Sequence, residues 1–135
     1  MGKEERRKPA RYRSKFNGAL YLYNTKSGSR ISNSLDCRVF NLSRMGAGIM
    51  TNRIFVDNQH FFFDALGSEE VFLGLEVSVA SDPGQSTTIV LEGQPVWFDR
   101  IPDEELTPFQ MGVEFSRKIP SEQWGLIKKY GLDLA

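Results

Sequence analysis

Between Glu70 and Ala80 the chain alternates without a break: Val71, Leu73, Leu75, Val77 and Val79 on one parity, Phe72, Gly74, Glu76 and Ser78 on the other. A period of two places the first set on one face of a β-strand. A strand with one apolar face has to bury it against other strands or a helix. The same signature recurs along the chain. Phe16, Gly18, Leu20 and Leu22 share a face; so do Leu35, Cys37 and Val39, and so do Phe109, Met111, Val113 and Phe115. Ala47–Thr51 reads as a short strand and Thr87–Phe98 as a longer one, in which Gly93 and Pro95 mark a bulge or an edge position. Polar, Gly-containing stretches at Asn24–Ser29 and Ser81–Gln85 supply turns. Only the end looks helical: Pro120 and Ser121 can start a helix, Trp124, Ile127 and Tyr130 recur at its spacing, and Gly131 can stop it. About six strands followed by one helix predict a mostly β fold, a small closed antiparallel barrel with a C-terminal helix packed on it. With 135 residues the chain is long enough for one real core.

Two stretches stand outside the alternation. Arg53–Glu69 holds Phe55, Phe61, Phe62 and Phe63 with no clean period. It reads as a loop or short helix covering one barrel end, with an apolar contact surface as the alternative. Residues 1–15 carry no apolar periodicity and read as a flexible arm, leaving 16–135 as the folded domain. Seven basic groups of the arm face Glu4 and Glu5, a balance of +5, so a chain of zero net charge leaves −5 on the remainder. A basic arm on a slightly acidic body calls for an anionic partner.

Several function classes drop out. No apolar run reaches the roughly 18 residues of a membrane-spanning helix, and the charged N-terminus has no signal-peptide core. One cysteine, Cys37, forms no internal disulfide, which suits a reducing cytoplasm. There is no Cys/His cluster for a metal and no glycine-rich phosphate loop. The single histidine, His60, sits beside an aromatic run, where a structural role is the commoner one, and Asp103-Glu104-Glu105 reads as a solvated loop. No catalytic set, metal or cofactor is expected.

Two short patterns carry chemistry. Arg7 and Arg11 lie four apart on a segment that Pro9 keeps from regular helix. A guanidinium fork matches a phosphate or the O6/N7 edge of guanine, and its flat face stacks on a base. Asn41, Ser43 and Gly46 form an Asn-x-Ser-x-x-Gly loop at a strand end. Its short polar side chains hold a tight turn while offering hydrogen bonds, and its glycine allows a positive φ or a ligand's close approach.

An RxxxR arm followed about thirty residues later by (Asp/Asn)xSerxxGly on a small β domain resembles the PilZ family, over nearly the whole chain. Gly46-Ala47-Gly48-Ile49 and Met111-Gly112-Val113-Glu114-Phe115 look like that family's flanking phrases. The resemblance implies a six-stranded PilZ-type barrel with a C-terminal helix, acting as a non-catalytic receptor for the bacterial second messenger cyclic di-GMP. It implies that Arg7 and Arg11 grip phosphate and guanine while Asn41 and Ser43 offer hydrogen bonds from the barrel. Arg6, just ahead of the pattern, goes in similar proteins with two stacked ligand molecules per chain. Arg44 and Trp97 are further candidates, Arg44 to add charge and Trp97 to flank a guanine or else to pack the core. The arm is then expected to order over the barrel and signal to a downstream protein partner. The rival readings are a PilZ module that binds protein and no nucleotide, and a small barrel for single-stranded nucleic acid, which the acidic remainder disfavours.

Overall fold

The computed structural model describes residues 12–80, 84, 86–101 and 108–134. The arginines Arg6, Arg7 and Arg11 lie outside the described residues. Strands β1 (Tyr12–Asn24), β2 (Leu35–Leu42), β3 (Gly46–Thr51), β6 (Val71–Ala80), β7 (Ser86–Arg100) and β8 (Phe109–Phe115) form one antiparallel sheet in the order β2-β3-β8-β7-β6-β1. Pairing of β1 back onto β2 closes it into the expected six-stranded barrel. β1 starts at Tyr12, so Tyr12–Lys15 belong to the sheet rather than to the arm.

Closure depends on β1 serving two neighbours. Its first part pairs with β2, from Tyr12↔Leu42 to Leu20↔Leu35, and its later part pairs with β6, from Gly18↔Val77 to Asn24↔Val71. Gly18 stands where the two ladders overlap, and a Cβ there would lie 2.8 Å from the Glu76 carbonyl oxygen. A bare backbone is what lets the strand pass so close. The period-two faces turn inward as expected. Leu20, Leu22, Leu35, Val39, Ile49, Leu73, Leu75, Val77, Val79, Ile89 and Met111 are all buried in one core. Pro95 is accommodated by a register shift between Pro95 and Trp97.

Arg53–Glu69 does cover a barrel end, at the Thr51 and Phe109 side, but with more order than a loop. β4 (Phe55–Val56) and β5 (Gln59–His60) make a miniature hairpin whose turn residues Asp57 and Asn58 have φ of 55° and 63°. Asp and Asn tolerate this left-handed geometry, which a two-residue hairpin of that twist requires. Ile54, Val56, Phe61, Phe62 and Ala65 plug the core, leaving Phe55 and Phe63 exposed at 58% and 63%.

Helix α1 (Ser121–Gly131) starts and stops where its sequence signals stand. Trp124 and Ile127 are buried, Glu122 lies in the first turn, and Lys128 and Lys129 lie in the last, complementing the helix dipole. A further strand, β9 (Leu132–Leu134), follows the helix and pairs with Tyr12–Ser14 of β1.

Candidate functional site

β2 and β3 are joined by Ser43-Arg44-Met45-Gly46, the second half of the polar motif. Ser43 is 3% exposed. Its Oγ accepts the backbone N–H groups of Met45 and Gly46, both at 3.2 Å, and lies 3.4 Å from the Gly46 carbonyl, to which it donates. The Ser43 N–H donates to the same carbonyl at 2.9 Å. The hydroxyl therefore defines the turn's shape. Gly46 is explained by packing: φ is not positive there, and a Cβ would stand 2.5 Å from the Val113 carbonyl oxygen of β8. The close approach anticipated from sequence is made by the protein's own backbone.

Arg44 turns away from the open face. Its Nε and Nη2 donate to the Ile119 carbonyl at 3.0 and 2.7 Å, and Nη2 reaches Ser121 Oγ at 3.4 Å. The Ile119 N–H answers to the Arg44 carbonyl at 2.9 Å, and the Phe115 N–H to that of Met45 at 2.8 Å. The motif's turn is thus fastened to the connection that launches α1.

Asn41 lies one step earlier, where β2 bulges. The register passes from Val39↔Ile49 to Asn41↔Gly48, so Phe40 is the extra residue. Both side chains bend over Gly48, where a Cβ would lie 2.6 Å from Phe40 Cζ and 2.8 Å from Asn41 Oδ1. Gly48 pairs in turn with Gly112 of β8, and Gly112 with Trp97 of β7. The Trp97 indole, 41% exposed, lies across Gly112 so closely that a Cβ there would collide with its Nε1. On the other side Asn41 pairs with Arg13 of β1. One continuous register row, Arg13–Asn41–Gly48–Gly112–Trp97, crosses five strands on the barrel's outside. Its middle is a floor of two glycines, with Asn41 and Phe40 on one side and a tryptophan on the other.

Both glycines are buried under these side chains, Gly48 beneath Phe40 and Asn41 and Gly112 beneath the Trp97 indole, so the outer surface here is made by the indole and the Asn41 amide lying over them. The sequence marked Asn41 and Trp97 separately. The glycines were visible in Gly46-Ala47-Gly48 and Met111-Gly112-Val113, but only the strand register sets them side by side.

Against known proteins, neither a family model nor a characterised protein matches this sequence. By structure the chain is similar to the Bacillus subtilis inhibitor of motility MotI/DgrA, with a TM-score of 0.56 and 15% identity. The shared fold is a mostly β one, in this chain a closed six-stranded antiparallel barrel with a C-terminal helix. The match takes in 91% of this chain and 48% of MotI/DgrA, so the chain spans about half the length of that neighbour.

The remaining reactive groups have structural settings. His60 Nδ1 accepts the N–H groups of Phe62 and Phe63 at 3.2 and 3.0 Å, while the His60 N–H donates to Asp64 Oδ2 at 2.8 Å. Burial holds its imidazole below the ordinary value, against the opposing pull of Asp64. Cys37 is buried, and desolvation, assisted by Asp36, pushes its thiol up to about 12. Among the described residues no three His, Cys, Asp or Glu side chains are grouped to hold a metal ion. Nor is any described helix long and apolar enough to cross a membrane.

Proposed function

We propose that this chain is a non-catalytic receptor for cyclic di-GMP, which binds on the outer face around the glycine floor and is gripped from above by the basic arm. The observation that carries the reading is the register row from Arg13 to Trp97. It sets Asn41, two glycines that let side chains lie close over the sheet, and the half-exposed Trp97 indole along one line, which begins on β1, the strand that follows the arm in sequence. Tyr12, the first described residue, pairs with Leu42, immediately before the Ser43 turn. The fold shared with the structural neighbour supports the same assignment.

In this reading Arg7 and Arg11 engage phosphate and guanine, Trp97 stacks on a base and Asn41 hydrogen-bonds at the floor's edge. Ser43 and Gly46 act by shaping the turn, and Arg44 by anchoring it. Arg6 contacts a second, stacked ligand molecule. Ordering about ten arm residues costs on the order of 10 kcal/mol. Half a dozen hydrogen bonds to charged groups, at about 1.5–3 kcal/mol each, offset most of that. Stacking and Coulomb attraction set the remainder. The ordered arm forms a surface for a downstream protein partner, and a cytoplasmic setting suits the buried, protonated Cys37 thiol.

Calorimetric titration of cyclic di-GMP into the full chain, beside an Arg7→Ala, Arg11→Ala double variant, tests the proposal. Micromolar or tighter binding that the variant loses is the expected result, with two ligands per chain if Arg6 acts as described. Absence of heat and of any thermal shift at millimolar ligand would point instead to a protein-interaction module. The exposed Phe55, Phe63 and Leu66 on the aromatic cap favour that second reading and would be its contact surface.

A further inference from the structure

On the same outer face, one outward position along from the glycine floor, β1, β2 and β3 enclose an open trough of about 470 Å³. Asn17, Asp36, Arg38, Met50 and Asn52 provide its polar and sulfur-bearing lining. The register explains the placement. Asn17 pairs with Arg38 and Arg38 with Met50, while Gly48 of the floor is two residues from Met50 on β3. Two residues along a strand span roughly 7 Å, so the trough and the floor adjoin.

Asp36 and Arg38 are i and i+2 on β2, and both point outward from a strand whose Leu35, Cys37 and Val39 face the core. Two of the described arginines are engaged: Arg30 lies 3.8 Å from the Tyr21 ring centre and pairs with Glu76 at 2.6 Å, and Arg44 holds Ile119. Arg38 and Asp36 have no hydrogen bond or ion pair among the described residues. A fork of donors and a pair of acceptors therefore stand about 7 Å apart at their attachment points, both exposed and without a partner among the described residues, beside a polarizable Met50 and two amides.

We infer that this trough is a guanine-reading subsite, in which Arg38 donates to O6 and N7 of a base and Asp36 accepts from its N1–H and exocyclic amine. The inference rests on the cyclic di-GMP reading and adds a source of base specificity on the barrel itself, independent of the arm. Guanine presents two acceptors on one edge and two donors on the next, the complement of the Arg38–Asp36 pair. Adenine would oppose its amine to Arg38 and its bare N1 to Asp36, so the pair also rejects the wrong base. Met50 offers its thioether to the ring face.

The test titrates cyclic di-GMP into the full-length wild-type chain and the variants Arg38→Ala, Arg38→Lys and Asp36→Asn, with the Arg7→Ala, Arg11→Ala variant alongside. Thermal unfolding of each variant checks that these outward-facing substitutions leave the barrel intact. A bidentate base contact is worth roughly ten- to a hundredfold in affinity. Arg38→Ala is expected to weaken binding by that factor, and Arg38→Lys nearly as much, because lysine keeps the charge but lacks the planar fork. Asp36→Asn should also weaken it. Wild-type affinity in Arg38→Lys would reduce Arg38 to a simple cation near phosphate and overturn the inference, as would tighter binding in Asp36→Asn. If Arg38→Ala binds like wild type while the arm variant does not, the subsite fails and the receptor reading stands. A wild-type chain that binds no cyclic di-GMP removes both.

Discussion

Replacing Ser43 by alanine separates a residue that shapes the site from one that touches the ligand. The hydroxyl is buried and serves two backbone donors, Met45 N–H and Gly46 N–H. Gly46 is itself buried, so its N–H has no water to turn to once the oxygen is removed. A net hydrogen bond is worth about 0.5–1.5 kcal/mol, and a buried donor left unsatisfied costs about 1–3 kcal/mol. The half-buried Met45 N–H recovers part of its loss from solvent. Together these give about 2–3 kcal/mol, a large part of the 5–15 kcal/mol that holds a typical domain. Urea denaturation of the ligand-free protein is the direct assay. With a slope of about 1.5 kcal/mol/M, the midpoint should fall by about 1.5 M at unchanged slope. A Ser43→Ala protein with the wild-type midpoint, measured without ligand, refutes the assignment of Oγ to the turn and returns it to direct ligand contact.

Other perturbations follow from the same geometry. Gly112→Ala puts a Cβ where the Trp97 indole lies, so Trp97 emission should shift and cyclic di-GMP affinity should fall by roughly tenfold, within the range of one base–aromatic stack; an unchanged spectrum counts against the floor. Arg44→Ala cuts the fork to Ile119 and should cost about 2 kcal/mol, with faster amide exchange at the start of α1 as the local sign. For His60 the folded pKa is lowered, so the unfolded chain takes up its proton first as pH falls. The neutral ring's contribution is complete above about 6.5 and is lost as pH drops from there through the folded value. The stability difference between wild type and His60→Asn should narrow over that window, and a pH-independent difference would show that Nδ1 is not the acceptor.

The strands were legible because one apolar face per strand leaves a period of two in the sequence, and Val71–Val79 is the cleanest instance. The helix was legible because Pro120, Trp124, Ile127 and Gly131 each act locally. Three features were not. The β4–β5 hairpin is only two residues on each side, too short for any periodicity, and its sole sign was Asp57-Asn58. β9 is a strand because β1 offers Tyr12–Ser14 as a pairing edge, a fact that lies 120 residues away in the sequence. The glycine floor depends on the Phe40 bulge and the Pro95–Trp97 shift, which together decide that Asn41, Gly48, Gly112 and Trp97 fall in line. Motif residues could be named from the chain, but the roles of Ser43, Arg44 and Gly46 came from their partners across the fold.

The two-sided pairing of β1 has a mechanical meaning. Tyr12 and Arg13 are bonded into β2 on one flank and into β9 on the other. A tug on the N-terminal end in line with β1 would load both ladders at once, in shear, instead of peeling bonds open one after another. The chain can therefore transmit tension from its N-terminal end while the barrel behind it keeps its shape.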